Sequence, residues 1–169
     1  MRFLLIDRIV EVVPGQRLQA VKYLTLGEEY LADHFPTFPV MPGVLMLEAL
    51  VQAGAWLLRL TENFSYSVVV LREAKGVKYG TFIEPGRVLR LTVEKTGKNT
   101  GESQKIEFKG SGEVDGVNTV AARFVLEQYN LGDRDAALAP LDEQMKEYYR
   151  RLYLTLRPRE TLSARGMAS

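Results

Sequence analysis

Residues 42–60 read PGVLMLEALVQAGAWLLRL, and this nearly uninterrupted apolar run predicts one long helix. The leading proline suits the first turn of a helix, where its missing N–H would have no partner in any case. Up to Leu58 the only polar side chains in the helix are Glu48 and Gln52. A helix that is apolar almost all round is normally buried on most sides, so the rest of the chain must wrap it.

The segments on either side of this helix are rich in strand signals. β-branched runs and alternation of apolar with polar residues indicate strands, and Asp115-Gly116 is a strong two-residue hairpin signal. Residues 3–13 are compatible with a short helix or a strand, and residues 99–103 are predicted as a turn. The economical architecture is α+β, a curved antiparallel sheet of about five or six strands folded around the helix in two layers. The predicted strands are 17–25, 67–74, 87–95, 105–114 and 117–128.

The last forty residues differ in character from the rest. Residues 131–140 resemble a linker, and residues 141–154 (LDEQMKEYYRRLYL) place apolar side chains at helical spacing. From Thr155 onward a frayed, flexible tail is expected. The sequence therefore predicts a wrapped domain over residues 1–129 and a C-terminal extension over residues 130–169 with one amphipathic helix.

Composition excludes several function classes. The 169 residues suit a single domain, and 22 basic against 21 acidic residues give a net charge of +1, which argues against a nucleic-acid partner. The chain has no cysteine and one histidine, so thiolate and histidine-cluster metal sites are excluded and no cofactor is expected.

The apolar segments do not suggest a leader or a membrane span. The apolar run at residues 3–6 is too short for a signal peptide. Residues 35–58 contain three prolines near their start and a glutamate in their middle, which argues against a membrane span. A cytoplasmic protein without a membrane partner is expected.

The segment DHFPTFPVMPGVLMLE, residues 33–48, holds the candidate chemistry. His34 begins a loop with a proline every third residue, and a rigid loop can hold an imidazole where a general base is needed. Glu48 lies in the second turn of the apolar helix, where burial favours a protonated carboxyl group, and Gln52 is four residues on, within hydrogen-bonding reach. The first amides of the helix, including that of Gly43, have no intrahelical partner and can stabilise an oxyanion.

A base, an acid and an oxyanion-binding helix terminus suit one reaction. Removal of a proton beside a carbonyl creates enolate-like charge, which the helix terminus stabilises, and the acid then protonates a leaving hydroxyl group. This is β-elimination of water from a 3-hydroxyacyl group. Taken alone, His34 could instead be a structural histidine, and Glu48 could be a core carboxyl group whose hydrogen bonds are all satisfied.

The pattern DHFPxxPxMPGVLxxEALxQ resembles the signature of the 3-hydroxyacyl-[acyl-carrier-protein] dehydratases of the FabZ type and, more loosely, the FabA type. The resemblance covers roughly Phe3 to Gln128 and implies the hot-dog fold, a sheet wrapped around one long helix. It implies that His34 and Glu48 are catalytic and that the Gly43 amide binds the thioester carbonyl. By the same resemblance, the Val40 carbonyl orients the imidazole and Gln52 lies beside the acid.

The resemblance also implies partners. The substrate is an acyl chain on the phosphopantetheine arm of acyl carrier protein. His34 of one chain works with Glu48 of another in a homodimer with shared active sites, and FabZ-type enzymes are commonly hexamers built as trimers of dimers. Because acyl carrier protein is acidic, a local basic patch is expected on this chain. Its candidates are Arg72, Lys75, Lys78 and Arg87 on strands, or Lys146, Arg150 and Arg151 on the C-terminal helix.

Two residues depart from the family pattern. Thr37 stands where a glycine is usual, which would alter the loop backbone if that position needs positive φ. Phe38 replaces a polar residue and is expected near the mouth of the substrate tunnel, where it bears on chain-length preference. FabA-type isomerases usually carry Asp at the position of Glu48, so dehydration alone is favoured. A hot-dog thioesterase and a non-catalytic acyl-binding or scaffold subunit of the same fold are the alternatives.

Overall fold

The computed structural model of the chain describes residues 3–32, 34–35, 37–97 and 104–158. The turn predicted at residues 99–103 and the end of the predicted tail, from residue 159, lie outside the described residues. Within these ranges, three short 3-10 helices span Glu29–Leu31, Leu131–Asp133 and Ala136–Leu138. The strands and long helices are β1 (Arg8–Val13), β2 (Arg17–Tyr23), α1 (Gly43–Thr61), β3 (Val68–Tyr79), β4 (Val88–Lys95), β5 (Lys105–Val114), β6 (Val117–Tyr129) and α2 (Ala139–Leu156).

The strands form one antiparallel sheet in the order β1-β2-β4-β5-β6-β3. With α1 against its face and α2 beyond, the α+β prediction of a sheet wrapped around one long helix is confirmed. The open alternative for residues 3–13 resolves as a strand over Arg8–Val13.

Strand β3 is five residues longer at its end than the predicted segment 67–74. Charged residues recur between Arg72 and Lys78, and the register with β6 shifts between Lys75 and Lys78, where Gly76 has φ +59°. The simple alternation that marks a strand is therefore lost there. Because β3 is a terminal strand of the sheet, its outer side chains can remain solvated.

Helix α1 lies close to the sheet because glycines stand at the contact. A Cβ atom placed on Gly54 would lie 3.0 Å from the Phe124 ring and 3.1 Å from Leu126, and one on Gly110 would lie 3.0 Å from Phe124. By length and composition α1 could cross a bilayer, with a mean hydropathy of 1.4, but 61% of that stretch is buried inside the protein. That burial is typical of a core helix.

Residues 131–140 are not a linker, contrary to the sequence prediction. They form two 3-10 turns and the start of α2, which runs over Ala139–Leu156 rather than 141–154. Asp142 organises the region, since its carboxylate accepts hydrogen bonds from the Leu131 amide (2.9 Å), the Gly132 amide (2.7 Å) and the Ser67 hydroxyl. A single buried carboxylate thus fixes turns that carry no strong sequence signal.

Aromatic side chains hold α2 against α1. The Trp56 ring lies 5.9 Å from that of Tyr149 and 6.2 Å from that of Tyr153, centroid to centroid. Phe64, just after α1, lies 6.3 Å from Tyr153. Helix α2 therefore covers part of α1 that the sheet leaves open.

We expect Gly54→Val to destabilise the protein by about 1–3 kcal/mol, because the larger side chain must displace Phe124 or Leu126 from a packed contact. Urea unfolding measures the change. Gly27→Ala is the control, since a Cβ there would meet only Thr25 at an ordinary 3.6 Å. Equal midpoints for Gly54→Val and the unmodified protein would contradict the close approach of α1 to the sheet.

The ionisation of Asp142 makes the stability of the protein depend on acid pH. Burial raises the pKa of its carboxyl group, but hydrogen bonds from Ser67, Gly132 and Leu131 lower it more, so the pKa lies below its usual 3.8. Its contribution to stability is therefore complete above about pH 3.8 and disappears as the pH falls through the lower pKa of the folded state.

Asp142→Asn should lower the melting temperature at neutral pH, because an amide group would face the backbone donors with one of its own N–H groups. It should also reduce the loss of stability on acidification below pH 3.8. Thermal melts across this range test both effects, with Glu143→Gln as the exposed control. An acid limb that is unchanged in Asp142→Asn would refute this role.

Candidate active site

The loop after β2 presents His34 in a fixed orientation. The His34 amide donates to the Tyr30 carbonyl at 3.2 Å, and Nδ1 lies 3.0 Å from the Val40 carbonyl oxygen. Because a carbonyl only accepts, Nδ1 carries the proton in this contact and Nε2 is left as the basic nitrogen. The Met41 amide in turn donates to the Ile83 carbonyl at 2.9 Å, which ties the segment next to Val40 to the core.

The loop achieves its shape at Phe35 rather than at Thr37. Phe35 has φ 54°, and its carbonyl accepts a 2.7 Å hydrogen bond from the Phe38 amide. Thr37 is not among the described residues with positive φ, so the change in backbone considered for a threonine at this position is not found. The left-handed residue instead places the Phe35 ring 4.4 Å from that of His34.

Helix α1 begins next to this loop. Pro42 caps it without a side-chain hydrogen bond, and the amides of Gly43 and Val44 fall in the first turn, where a helix provides no partners. A Cβ on Gly43 would lie 3.2 Å from the Tyr79 ring. Glycine therefore lets the end of β3 pack onto the helix terminus, a contact that the sequence did not indicate.

Gln52 connects Glu48 to the N-terminal segment. Its Nε2 donates to Glu48 Oε1 at 3.0 Å, which confirms the hydrogen bond predicted from their spacing. It also donates to the Phe3 carbonyl at 2.9 Å, and its Oε1 accepts from the Leu5 amide at 2.9 Å. Glu48 itself is half-buried in the single chain, less than the sequence suggested.

His34 and Glu48 are not brought together within one chain. Among the described residues, no hydrogen bond or ion pair joins them. Glu48 instead lines a cavity of about 590 Å³ between α1 and α2, and His34 is not among its walls. The two catalytic candidates therefore occupy separate places on the monomer.

Exposed apolar side chains surround the start of α1. The rings of Phe38 and Phe82 meet edge to face at 5.9 Å although both are exposed, and Val44 is 70% exposed. We call Phe35, Phe38, Val44, Tyr79 and Phe82 the apolar collar. An apolar patch of this kind on a folded chain marks an interaction surface.

Most of the basic residues considered for a docking patch are neutralised. Lys75 pairs with Glu73 at 2.9 Å and Arg87 with Asp115 at 2.6 Å. Within the described part of the chain, Lys78 alone among the seven candidates has no carboxylate partner, and it is exposed beside Tyr79. The other pairs are Arg72–Glu127, Lys146–Glu143, Arg150–Glu147 and Arg151–Glu147.

Comparison with known proteins gives consistent relatives. A family model described as a FabA-like domain matches residues 1–123. The chain is 40% identical over 139 residues to a 3-hydroxyacyl-[acyl-carrier-protein] dehydratase FabZ of Myxococcus xanthus, with 81% of this chain and 87% of the relative covered. It is 42% identical over 126 residues to the FabZ of Roseiflexus sp., with 74% and 81% covered.

Solved structures agree in fold. The dehydratase heterocomplex ApeI:P from Xenorhabdus doucetiae matches with a TM-score of 0.62 at 16% identity, covering 80% of this chain and 90% of that one. The acetyl-CoA-bound protein smu.793 from Streptococcus mutans matches with a TM-score of 0.56 at 11% identity, covering 76% and 92%. At these identities the likeness establishes the fold and not the activity.

The hydrogen bonds of Gln52 should protect the Leu5 amide from hydrogen exchange. In Gln52→Leu the Leu5 amide loses its acceptor, so its hydrogen exchange should accelerate by about tenfold, the loss expected for one hydrogen bond. Thr61→Val is the matched control, because Thr61 Oγ1 accepts from the Gly15 amide at 2.8 Å and its loss should affect that amide alone. Unchanged exchange at Leu5 in Gln52→Leu would show that another group holds the N-terminal segment.

Proposed function

The chain belongs to the FabA-like family, and from this membership we propose that it is a hydro-lyase that converts 3-hydroxyacyl-[acyl-carrier-protein] to the trans-2-enoyl product in fatty-acid biosynthesis. The observation that carries the proposal at the site is the 3.0 Å contact from His34 Nδ1 to the Val40 carbonyl. It leaves Nε2 as a base near a helix terminus suited to an oxyanion.

In the proposed mechanism His34 Nε2 removes a proton from C2 of the acyl group. The electron pair moves towards the thioester carbonyl, and the Gly43 amide stabilises the resulting oxyanion with the positive end of α1. The charge then returns to form the C2–C3 double bond as the C3–O bond breaks. Glu48 gives its proton to the departing hydroxyl group, which leaves as water, and Gln52 holds the carboxyl group in place.

We propose that the working site is shared between two copies of the chain. His34 and Glu48 are not joined within one copy, and the apolar collar next to His34 offers a surface for a second copy to cover. Strand β3 also ends the sheet with twelve residues whose outer edge has no partner strand in the described chain. A homodimer, assembled further as three dimers, satisfies both features.

The remaining assignments follow from the same proposal. Acyl carrier protein is the substrate carrier, and Lys78, which has no carboxylate partner among the described residues, is the candidate contact for its acidic surface. Phe38, at the edge of the apolar collar, lies at the entrance for the acyl arm. Residues 1–129 form the dehydratase unit and residues 130–169 an extension of it, and the enzyme acts in the cytoplasm without a cofactor.

His34→Ala and Glu48→Gln should each lower the rate of crotonyl-thioester hydration, the reverse reaction, by at least about 100-fold, because each removes a proton-transfer group. Loss of absorbance of the enoyl thioester measures the rate. Near-normal turnover in either variant would refute its role. Release of free thiol from the crotonyl thioester without formation of the 3-hydroxybutyryl thioester would indicate a thioesterase, and neither activity would indicate an acyl-binding subunit.

Mixing the two variants tests the shared site. A mixed dimer has one site without either group and one intact site, so random exchange of subunits should restore about a quarter of the wild-type rate. Circular dichroism and melting temperature show whether each variant has folded. Folded variants that exchange subunits without recovering activity would place His34 and Glu48 of the same chain in one site.

A further inference from the structure

We propose that the cavity between α1 and α2 binds the far end of the acyl chain and that Arg59 selects chains that end in a carboxylate. This inference rests on the proposed dehydratase function, and it assigns a specificity residue in the extension-covered part of the molecule. We call this cavity the distal pocket.

The distal pocket begins at the proposed catalytic acid. Glu48, Gln52, Ala55 and Arg59 line it and follow one face of α1, so it extends three helical turns, about 16 Å, away from Glu48. Its volume of about 590 Å³ lies within the range of small-molecule sites. A chain that reacts beside Glu48 can therefore continue into this space.

Apolar side chains form most of the wall. Trp56 and Val51 on α1 face Leu141, Met145 and Leu152 on α2 across the pocket. Such a lining suits methylene groups, although the polar side chains of Gln52, Gln144 and Tyr148 also border the pocket. The occupant that fits both the lining and the position of Glu48 is an alkyl chain.

The far end of the distal pocket is charged, because the side chain of Arg59 lies there. It is only 7% exposed, its Nε has no hydrogen-bond partner, and among the described residues it forms no ion pair. Its guanidinium lies 3.7 Å from the centre of the Tyr149 ring and 5.8 Å from that of Trp56. Burial also lowers the pKa of Arg59, which shows how poorly the site solvates its charge.

A buried cation without an anion is costly, and stacking on aromatic rings compensates only in part. A carboxylate at the end of the chain would accept hydrogen bonds from the guanidinium and neutralise it. The alternative is that Arg59 merely fastens α2 to α1 through the Tyr149 ring. That role requires no ligand and predicts no preference among chain ends.

The distal pocket depends on the C-terminal extension (residues 130–169), because α2 forms one of its walls. The FabA-like match ends at residue 123, whereas α2 begins at Ala139. The hydrogen bonds of Asp142 to Leu131 and Gly132 fix α2 at its first turn, so the pocket wall is held in place without a ligand.

The fluorescence of Trp56 can report ligand binding in the distal pocket. Trp56 is the only tryptophan of the sequence, and it lines the distal pocket at 4% exposure. We would titrate the full-length protein with pantetheine thioesters of 3-hydroxydecanoate and of its ω-carboxy analogue, following Trp56 fluorescence. The same two compounds serve as substrates for kcat/KM.

The carboxy-ended compound should bind and react about tenfold better than the methyl-ended one, the effect of one charged hydrogen-bonded contact. Arg59→Met, which keeps an unbranched apolar stem but removes the guanidinium, should abolish that preference in both readouts. Arg90→Met removes an exposed cation from β4 and should leave the preference intact. Melting temperatures identify any general loss of structure.

A second variant keeps the proposal testable if Arg59→Met unfolds. Met145→Phe narrows the pocket from α2 and should lower kcat/KM for both long substrates relative to crotonyl-pantetheine. Equal binding and turnover of the two long substrates by the unmodified protein would overturn the inference while leaving the dehydratase proposal intact. Absence of turnover of every thioester would instead refute the proposed function. The fluorescence titration would still test whether the pocket binds the carboxy-ended compound more tightly than the methyl-ended one.

Discussion

Helix α1 carries apolar side chains on almost every side, and the need to keep them from water determines where the other elements lie. Five of the six strands and α2 contribute buried residues to the core around it. The sheet covers one side closely because Gly54 and Gly110 leave room for the Phe124 ring between helix and strand. The sheet cannot surround a helix completely, so the remaining face of α1 is covered in part by α2 and by the N-terminal segment.

The site follows from the two places where this covering is incomplete. The first-turn amides of α1 have no partner within the helix, and in the loop that leads into it His34 is held by the carbonyl of Val40, three residues before the helix. One turn further on, Glu48 faces away from the sheet, where Gln52 and the N-terminal segment provide its polar surroundings. An apolar helix thus presents its polar chemistry only where water or a substrate can reach it.

The sequence predicted those features that depend on local pattern. The sequence places helix α1 to within a residue at each end, because a proline precedes it and the apolar run stops after Leu60. The second half of β3 and the turns at residues 131–138 were missed, because a bulge breaks the alternation of β3 and a distant carboxylate, Asp142, stabilises those turns. Contacts across the fold carry no signal in a single sequence.

The same limit applies to the site. The spacing of Glu48 and Gln52 on one helix predicted their hydrogen bond, since four residues bring side chains onto one face. The packing of Tyr79 on Gly43 joins residues 36 positions apart, and nothing near either residue indicates it. The surroundings of Arg59 were hidden for a related reason, because its nearer ring contact, Tyr149, belongs to α2 and lies 90 positions away in the sequence.

The size of the side chains explains why α1 is tightly packed on one side and borders a cavity on the other. Towards the sheet, glycine at position 54 allows contact at close range. Towards α2, the rings of Trp56, Tyr149 and Tyr153 stand between the helices with centroids about 6 Å apart, and they hold the two backbones away from each other. A helix held off by rings covers apolar surface without filling all the space beneath it. The cavity is therefore a consequence of how the extension covers α1, and Glu48 lies at its edge because it occupies the same face of the helix as the rings.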